Sequence, residues 1–349
     1  MKRYLFFAQL SYSYTILRPL QQEIWRRGDD CAWFLESSCP DQLLPGEKRL
    51  KTIQEVMDYN PLAVFAPGNY IYDFFPGVKV EVFHGYPMKK RIEKIDDHFT
   101  IRDWFDIYCT QGPSSTPYFE YLAGKRGYIK IYETGWCKMD AFFDPALPPE
   151  PQRERPTILY APTFTRGISS AWVMAPVIRQ QAQQKDWNWI ITFHPKLHTD
   201  EKLLEEYRSL AHDCPNVDFR LMNKGLETFR ETDALLCDSS SLIVEYMMLS
   251  KPVVTYRNTH PGDFLIDVQE LSEIGPALER ALTRPAHLLQ NIYRYTAEHE
   301  AHRDGQNSAR VLDAVDDFIQ NYQGRIKKKP LNLWRKIKLR WNIFKDSKR

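Results

Sequence analysis

The feature that most constrains the fold of this chain is a repeated alternation of short apolar segments with helical patterns. The chain opens with an apolar segment at 4–8, a helical pattern at 16–27 that ends at Gly28, and an apolar segment at 31–36. Short apolar strands separated by helices are typical of βαβ units, whose strands are parallel and buried. Further strands are predicted in this half at 62–66, 79–83, 106–110 and 128–132.

A proline-rich break interrupts the alternation. Residues 144–156 contain five prolines with charged residues between them, a composition that is typical of an interdomain linker. After the break, helices are predicted at 171–184, at 200–212 and from 241, and strands at 157–160, 189–193, 217–221, 234–237 and 253–256. We therefore predict two Rossmann-like α/β domains with parallel sheets, at 1–143 and 157–324, with a ligand cleft between the carboxyl ends of their strands.

The last 25 residues differ in charge from the rest of the chain. Residues 325–349 hold eleven Lys or Arg and one Asp, whereas the whole chain carries only +2. Trp334 and Trp341 are interleaved with these basic residues on a helix predicted after Pro330. This pattern favours a helix that lies on an anionic membrane surface. A disordered basic tail, or a segment that binds nucleic acid or a partner protein, are the alternatives.

Hydropathy, cysteine spacing and charge indicate the cellular compartment in which the protein works. No apolar run approaches the roughly 18 residues of a membrane span, and the six cysteines form no C-x-x-C pair. We expect reduced core thiols and a protein that stays in the cytosol. The residues before the tail carry a net negative charge, which argues against nucleic-acid binding by this part of the chain.

A serine cluster follows the strand predicted at 234–237. Asp238 closes this strand, and Ser239, Ser240 and Ser241 stand where the next helix begins. Hydroxyl groups and free backbone N–H groups at the positive end of a helix dipole favour phosphate binding. Glu245 comes one helical turn later, where a carboxylate could accept hydrogen bonds from a ribose. The alternative is an ordinary serine N-cap with a solvated glutamate.

Histidines follow two other predicted strands. His84 is followed closely by Lys89 and Lys90, and His194 precedes a proline and a lysine. Such loops combine a group that exchanges protons near neutral pH with positive charge for phosphate, although structural histidines are the alternative. His198 is four residues from His194, but the intervening proline makes a zinc-binding helix a poor interpretation. The chain contains neither a G-x-G-x-x-G fingerprint nor a P-loop.

These loops carry a resemblance to a known family. The sequence reads Phe-His-Gly-Tyr-Pro-Met-Lys-Lys at 83–90, Gly-Trp-Cys-Lys-Met-Asp at 135–140, Tyr-Ala-Pro-Thr at 160–163, His-Pro at 194–195, and Asp-Ser-Ser-Ser with Glu-Tyr at 238–246, followed by Lys-Pro at 251–252. In this order the motifs resemble those of the CDP-glycerol glycerophosphotransferase family, the teichoic-acid polymerase type of GT-B enzyme. The departures from the family pattern are Phe83 for tryptophan, Tyr86 for threonine, Cys137 for proline, Lys138 for arginine and Ser239 for tyrosine.

The resemblance implies a GT-B-like fold and transfer of glycerol phosphate, or a related polyol phosphate, from a CDP-activated donor to a hydroxyl of a lipid-linked surface glycan. His84 would be the general base, and His194 a second catalytic residue that holds the pyrophosphate. The donor-binding set would be Thr163, Asp238, Ser239, Ser240, Ser241 and Glu245. Lys89, Lys90 and Lys138 would contact phosphate or the acceptor. The implied enzyme needs no metal or cofactor, binds no nucleic acid, and works at the cytoplasmic face of the membrane through residues 325–349.

Three other functions fit the same residues. A GT-B glycosyltransferase that uses a nucleotide sugar would need the same serine and glutamate. A nucleotide-sugar 2-epimerase would share the fold, but it leaves the basic tail without a role. An inactive scaffold that binds a membrane complex would not need His84 or His194. The identity of the bound nucleotide separates the enzymes, because fold alone does not decide function.

Overall fold

A computed structural model describes residues 1–87, 97–221 and 224–346. The chain divides into two compact units. The first unit contains the described parts of Met1–Pro87, Asp96–Pro145 and Glu298–Arg349, and the second contains those of Ala146–Ala297. Each unit is built on one parallel sheet, so the predicted fold class of two parallel-sheet α/β units is confirmed.

The first unit begins with ten elements: β1 (Arg3–Ala8), α1 (Tyr12–Arg26), β2 (Asp30–Leu35), β3 (Arg49–Leu50), α2 (Ile53–Tyr59), β4 (Ala63–Ala66), β5 (Val78–Glu81), β6 (Ile107–Thr110), α3 (Thr116–Arg126) and β7 (Lys130–Glu133). The sheet order is β3-β2-β1-β4-β5-β6-β7, and the paired strands are parallel. Strands β4, β5 and β6 are buried along their whole length, as a sheet covered on both faces requires.

The second unit follows the same plan. Its elements are β8 (Thr157–Tyr160), α4 (Ala171–Gln184), β9 (Asn188–Thr192), α5 (Glu201–Asp213), β10 (Val217–Arg220), α6 (Leu226–Arg230), β11 (Ala234–Cys237), α7 (Leu242–Met247), β12 (Val253–Tyr256), β13 (Ile266–Val268), α8 (Ile274–Leu282) and α9 (Ala286–His299). The parallel sheet has the order β10-β9-β8-β11-β12-β13. The bounds predicted for β8, β11 and β12 match the structure, because these short apolar runs are closed by polar or proline residues.

The chain returns to the first unit after α9. The last two helices are α10 (Asn307–Asn321) and α11 (Leu333–Asp346), and both belong to the first unit. Asp140 caps α10, because its carboxylate accepts the backbone N–H groups of Asn307 and Ser308, each at 2.7 Å. The predicted second domain at 157–324 therefore differs from the observed division, in which residues from Glu298 onward leave the second unit.

The proline-rich linker is bound along the second unit. Arg153 pairs with Asp233 at 2.8 Å, and Glu150 pairs with the buried Lys251 at 2.9 Å. Lys251 also donates to the carbonyl oxygens of Phe229 and Thr232, so its ammonium group is satisfied inside the protein. The segment is therefore packed against the unit that follows it.

Helix α11 packs one face against the first unit. Leu339 and Ile343 join the apolar cluster of that unit, and Lys336 and Arg340 contact Asp73 at 3.3 and 3.1 Å. The opposite face leaves Trp334 86% exposed. The predicted helix after Pro330 is thus present within the described residues. Among residues 1–87, 97–221 and 224–346, no helix combines the length and apolarity that crossing a bilayer needs.

Candidate functional site

The predicted functional loops lie at the carboxyl edges of the two sheets. Each sheet contains a switch point, where consecutive crossovers change direction: between β1 and β4 in the first unit, and between β8 and β11 in the second. Parallel sheets bind ligands outside the carboxyl ends of the strands at such points. His84 follows β5, the neighbour of β4, and Asp238 follows β11 directly.

The His84 side chain is exposed and oriented by the loop after β4. Its Nδ1 lies 3.1 Å from the carbonyl oxygen of Pro67, and its ring stacks on Tyr12 with the centroids 5.4 Å apart. A carbonyl oxygen can only accept a hydrogen bond, so Nδ1 carries the hydrogen in this contact. In the neutral ring, Nε2 therefore holds the lone pair, which is the arrangement of a base.

The backbone before His84 is held in a strained conformation. Phe83 has φ of 57°, a left-handed value that is unfavourable for a bulky side chain. Its carbonyl oxygen accepts a hydrogen bond from Nε1 of Trp136 at 3.2 Å, and its ring stacks on His98 at 4.7 Å. Contacts on both sides of the residue keep the conformation in place.

The residues after His84 are also tied to neighbouring loops. The Gly85 carbonyl oxygen accepts a hydrogen bond from Gln111 at 2.9 Å, and the Tyr86 hydroxyl donates to Glu300 at 2.7 Å. Gln111 follows β6, and Glu300 follows α9. Each of the four consecutive residues from Phe83 to Tyr86 therefore makes a hydrogen bond to a neighbouring segment, and these bonds hold the loop.

Asp238 organises the carboxyl edge of the second sheet. Its carboxylate is buried and accepts the N–H groups of Thr163, Ser170 and Ser239, each at 2.8 Å, and the Ser170 hydroxyl at 3.0 Å. Burial raises the pKa of Asp238, and these hydrogen bonds oppose the shift. The carboxylate accepts hydrogen bonds from protein groups and so joins the loops, and its predicted contact with a donor molecule stays a prediction.

The three serines have different surroundings. Ser239 is buried, and its hydroxyl accepts the N–H of Thr259 at 2.9 Å. Ser240 is half-buried, and its hydroxyl accepts the N–H of Leu242 at 3.3 Å. Ser241 is half-buried and precedes α7, which has only six residues. The helix start is as predicted, but the Ser239 hydroxyl lies within the protein.

In its neutral form, His194 has the opposite tautomer from His84. Its Nδ1 accepts the backbone N–H of Lys196 at 3.1 Å. A backbone N–H can only donate, so Nδ1 carries the lone pair and the neutral ring has its hydrogen on Nε2. The exposed ring packs on Phe164 at 4.3 Å, and the Lys196 ammonium lies over the same phenyl ring at 4.4 Å. His194 is therefore arranged as a hydrogen-bond donor.

The other predicted residues are placed as follows. Thr163 is buried, and its backbone contacts Asp238 as described. Glu245 lies on α7 and is 8% exposed. Lys138 is half-buried, with its ammonium 5.1 Å from the centre of the Trp136 ring. Lys89 and Lys90 lie outside the described residues.

Sequence reasoning missed the loop after β12. Asn258 donates from its side chain to the Asp238 carbonyl oxygen at 2.7 Å, and the Thr259 N–H reaches Ser239. Both residues follow a predicted strand and precede a proline and a glycine, so the polar loop after that strand was the signal that could have found them. Glu300 gave no such signal, because it follows a helix.

Within the part of the chain that the structure describes, no three His, Cys, Asp or Glu side chains come together in a way that could hold a metal ion. The absence of a metal requirement stays a prediction.

The chain matches one family model by sequence and several solved structures by fold. The family model of CDP-Glycerol:Poly(glycerophosphate) glycerophosphotransferase matches residues 130–317. The chain is similar in structure to the wall teichoic acid polymerase TagF, at 14% identity over 90% of this chain and 88% of that chain, with a TM-score of 0.65. A TagF variant soaked with CDPG gives 14% identity over 91% and 89%, with a TM-score of 0.62.

A third similar structure is a putative UDP-N-acetylglucosamine 2-epimerase from Listeria monocytogenes. It is 12% identical over 92% of this chain and 97% of that chain, with a TM-score of 0.64. At sequence identities this low, the structural similarity shows a shared fold and nothing more. No curated protein matches the chain by sequence.

The Asp238 contacts generate a stability prediction. Asp238→Asn should lower the free energy of unfolding by about 2 kcal/mol, because an amide nitrogen would face N–H groups that now donate to a carboxylate. Amide exchange should accelerate in the loops at 161–170 and 238–241. Asp218→Asn, on the exposed edge of β10, is the matched control and should change stability by less than about 0.5 kcal/mol. Equal effects of the two substitutions on exchange and urea unfolding would contradict the assigned role.

Proposed function

This chain belongs to the CDP-Glycerol:Poly(glycerophosphate) glycerophosphotransferase family, and we propose that it transfers glycerol phosphate, or a related polyol phosphate, from a CDP-activated donor to a hydroxyl of a lipid-linked surface glycan, releasing CMP. The observation that carries the proposal is that the two histidines favour opposite tautomers in their neutral forms. His84 presents a lone pair on Nε2, whereas His194 presents an N–H on Nε2. Phosphoryl transfer to a hydroxyl is accelerated by a base that takes the hydroxyl proton and by a hydrogen-bond donor to the leaving oxygen.

His84 is the general base. Its Nε2 accepts the proton of the acceptor hydroxyl as that oxygen attacks the β-phosphorus of the donor. A new phosphoester bond forms, and the bond between the β-phosphorus and the bridging oxygen breaks. Positioned proton transfer of this kind contributes roughly 10²- to 10⁴-fold to a rate. The Pro67 carbonyl keeps the hydrogen on Nδ1.

The second unit binds the donor. The bridging oxygen leaves with CMP and gains negative charge, which the Nε2–H of His194 and the Lys196 ammonium stabilise. Ser240 and Ser241 contact the pyrophosphate, and Glu245 accepts hydrogen bonds from the ribose. Asp238 and Ser239 support this surface from within, since both side chains bond to protein groups.

The last residues bind the protein to the membrane that carries the acceptor. Trp334, Ile337 and Trp341 are spaced by three and four residues on α11 and are all more than half exposed. Tryptophan residues with lysine neighbours favour the headgroup region of a bilayer. Binding at the membrane raises the local concentration of a lipid-linked acceptor. The protein would then work peripherally, on the cytoplasmic face.

Nucleotide binding tests the donor class. CDP-glycerol or CDP-ribitol at about 100 times its Kd should stabilise the protein by roughly 2.7 kcal/mol, and CMP should act in the same direction. Thermal unfolding with these ligands and with UDP- and GDP-sugars measures the effect. Ser240→Ala and Glu245→Ala should reduce the shift, whereas Ser209→Ala on the exposed face of α5 should not. Stabilisation by UDP- or GDP-sugars alone would indicate a glycosyltransferase or an epimerase.

The base assignment has its own test. His84→Ala should lower the rate of CMP release in the presence of acceptor by at least about 10²-fold, while the Kd of the donor stays within about twofold. His212→Ala replaces an exposed histidine on α5 and should leave both quantities unchanged. Transfer and donor titrations measure the two effects. Near-normal turnover by His84→Ala would remove the assigned base.

Vesicle binding tests the role of α11. The double variant Trp334→Ala and Trp341→Ala should weaken sedimentation with phosphatidylglycerol vesicles by about tenfold or more, because it removes two large apolar surfaces. Trp25→Ala, another exposed tryptophan of the first unit, is the control and should bind as the native protein does. Higher salt should weaken binding of all three proteins. Equal loss in control and double variant would contradict the proposal.

A further inference from the structure

Glu300 has a buried carboxyl group that contacts the loop carrying His84. It is 2% exposed and accepts hydrogen bonds from the Tyr86 hydroxyl at 2.7 Å, the Trp136 backbone N–H at 3.2 Å and the Asn307 side chain at 3.0 Å. All of these residues belong to the first unit. A carboxyl group is placed in such an interior at a high desolvation cost, so its hydrogen bonds fix the positions of their donors.

Two of these hydrogen bonds act on the His84 loop, one directly after His84 and one indirectly before it. Tyr86 is two residues after His84 and is held directly. Trp136 is held through its backbone, and its indole Nε1 donates to the carbonyl oxygen of Phe83, the residue before His84. Phe83 has the left-handed φ of 57°, which relaxes when the contacts that impose it are lost.

We propose that Glu300 is a positioning residue for His84. By holding Tyr86 and Trp136, it keeps the loop in the conformation that places Nδ1 of His84 against the Pro67 carbonyl and leaves Nε2 to accept the proton. The inference rests on the proposed role of His84 as the base. In the family pattern a threonine stands at position 86, so the Tyr86 to Glu300 hydrogen bond is a feature of this chain.

The surroundings of Glu300 fit this role. Gly135 has φ of 74°, and a Cβ built on it would lie 2.4 Å from Oε1 of Glu300, so only glycine lets the Trp136 backbone approach. Asn307 donates both to Glu300 and to the Trp136 carbonyl oxygen, at 3.0 Å each. The start of α10 is therefore part of the same hydrogen-bond network.

Burial of the Glu300 carboxyl group favours its protonated form. It raises the pKa of Glu300 to about 8, with Asp140 adding to the shift and the hydrogen bonds of Tyr86, Trp136 and Asn307 opposing it. Arg310 is the nearby cation, and the His299 ring lies 6.0 Å from that of Tyr86. Since the group is neutral when protonated, glutamine is its conservative replacement. The folded-state pKa exceeds the unfolded value, so the stability contribution of the protonated group is complete below about pH 4.5 and is lost as the pH rises towards 8.

The test uses the full-length chain and three variants. Glu300→Ala should lower kcat by about 10²-fold with the KM of the donor within about twofold, because the base is misplaced while the second unit is unchanged. Tyr86→Phe, which removes one hydroxyl and keeps the packing, should lower kcat by about tenfold. Glu300→Gln should restore most of the activity. Glu298→Ala, an exposed carboxylate two residues away, is the control and should be fully active.

A spectroscopic measurement separates positioning from loss of the fold. Imidazole nitrogen shifts should place the hydrogen of neutral His84 on Nδ1 in the native protein, with its resonances assigned by their absence in His84→Ala. Tyr86→Phe should move the hydrogen partly to Nε2. Native kcat and native His84 shifts in both Glu300→Ala and Tyr86→Phe, with His84→Ala inactive, would overturn the inference alone. An active His84→Ala would instead overturn the proposed function.

Discussion

Carboxyl groups that accept hydrogen bonds from neighbouring loops hold the carboxyl edges of the two sheets; those of Asp238 and Glu300 are buried, and that of Asp140 is half-buried. Asp140 caps α10, Asp238 joins the loops after β8 and β11 in the second unit, and Glu300 joins the His84 loop to the start of α10. A carboxyl group in an apolar interior is costly unless N–H or O–H groups surround it. Each of these groups therefore fixes the backbone that supplies its donors. The loops of both edges depend on this constraint, because loops lack the ladder hydrogen bonds that order the strands.

The backbone of the loops also decides which ring nitrogen of each histidine carries the hydrogen. A ring nitrogen that faces a backbone carbonyl must carry a hydrogen, and one that faces a backbone N–H must not. The backbone at Pro67 and at Lys196 is therefore what distinguishes His84 from His194, since both side chains are exposed and both follow strands. Loop geometry thus gives one residue type two proposed roles, and at His84 the proposed role of Glu300 is to maintain that geometry.

The sequence predicted the sheets better than the connections between them. Strands β8, β11 and β12 have the predicted bounds, because apolar runs of four residues have clear ends. Helix α1 begins at Tyr12, whereas the prediction began at 16. Ser13 is polar but lies on the buried face of the helix, so the first turn does not show an apolar pattern in the sequence. The return of α10 to the first unit was missed because an amphipathic pattern shows that a helix has a buried face, but not which sheet covers it. For the site, the residue types at the strand ends were readable from the sequence. The inward direction of Asp238 and Ser239, and the part played by Glu300, depend on contacts between residues far apart in the chain.

In the structure, part of the basic charge around α11 is paired with acidic residues, while its tryptophans are exposed. The sequence of residues 325–349 suggested that eleven basic residues attract the helix to the membrane together with two tryptophans. Lys329 contacts Asp106 at 2.7 Å, Arg335 contacts Asp103 at 3.5 Å, and Lys336 and Arg340 share Asp73, so the first unit itself balances part of that charge. These ion pairs and the packing of Leu339 hold one face of the helix on the protein and direct Trp334 and Trp341 outward. A helix that is docked on the protein has already lost its conformational entropy on folding. Its aromatic side chains therefore need little further ordering when they bind a bilayer. The proposed membrane binding therefore relies on a rigid aromatic face, with charge as the weaker and more salt-sensitive contribution.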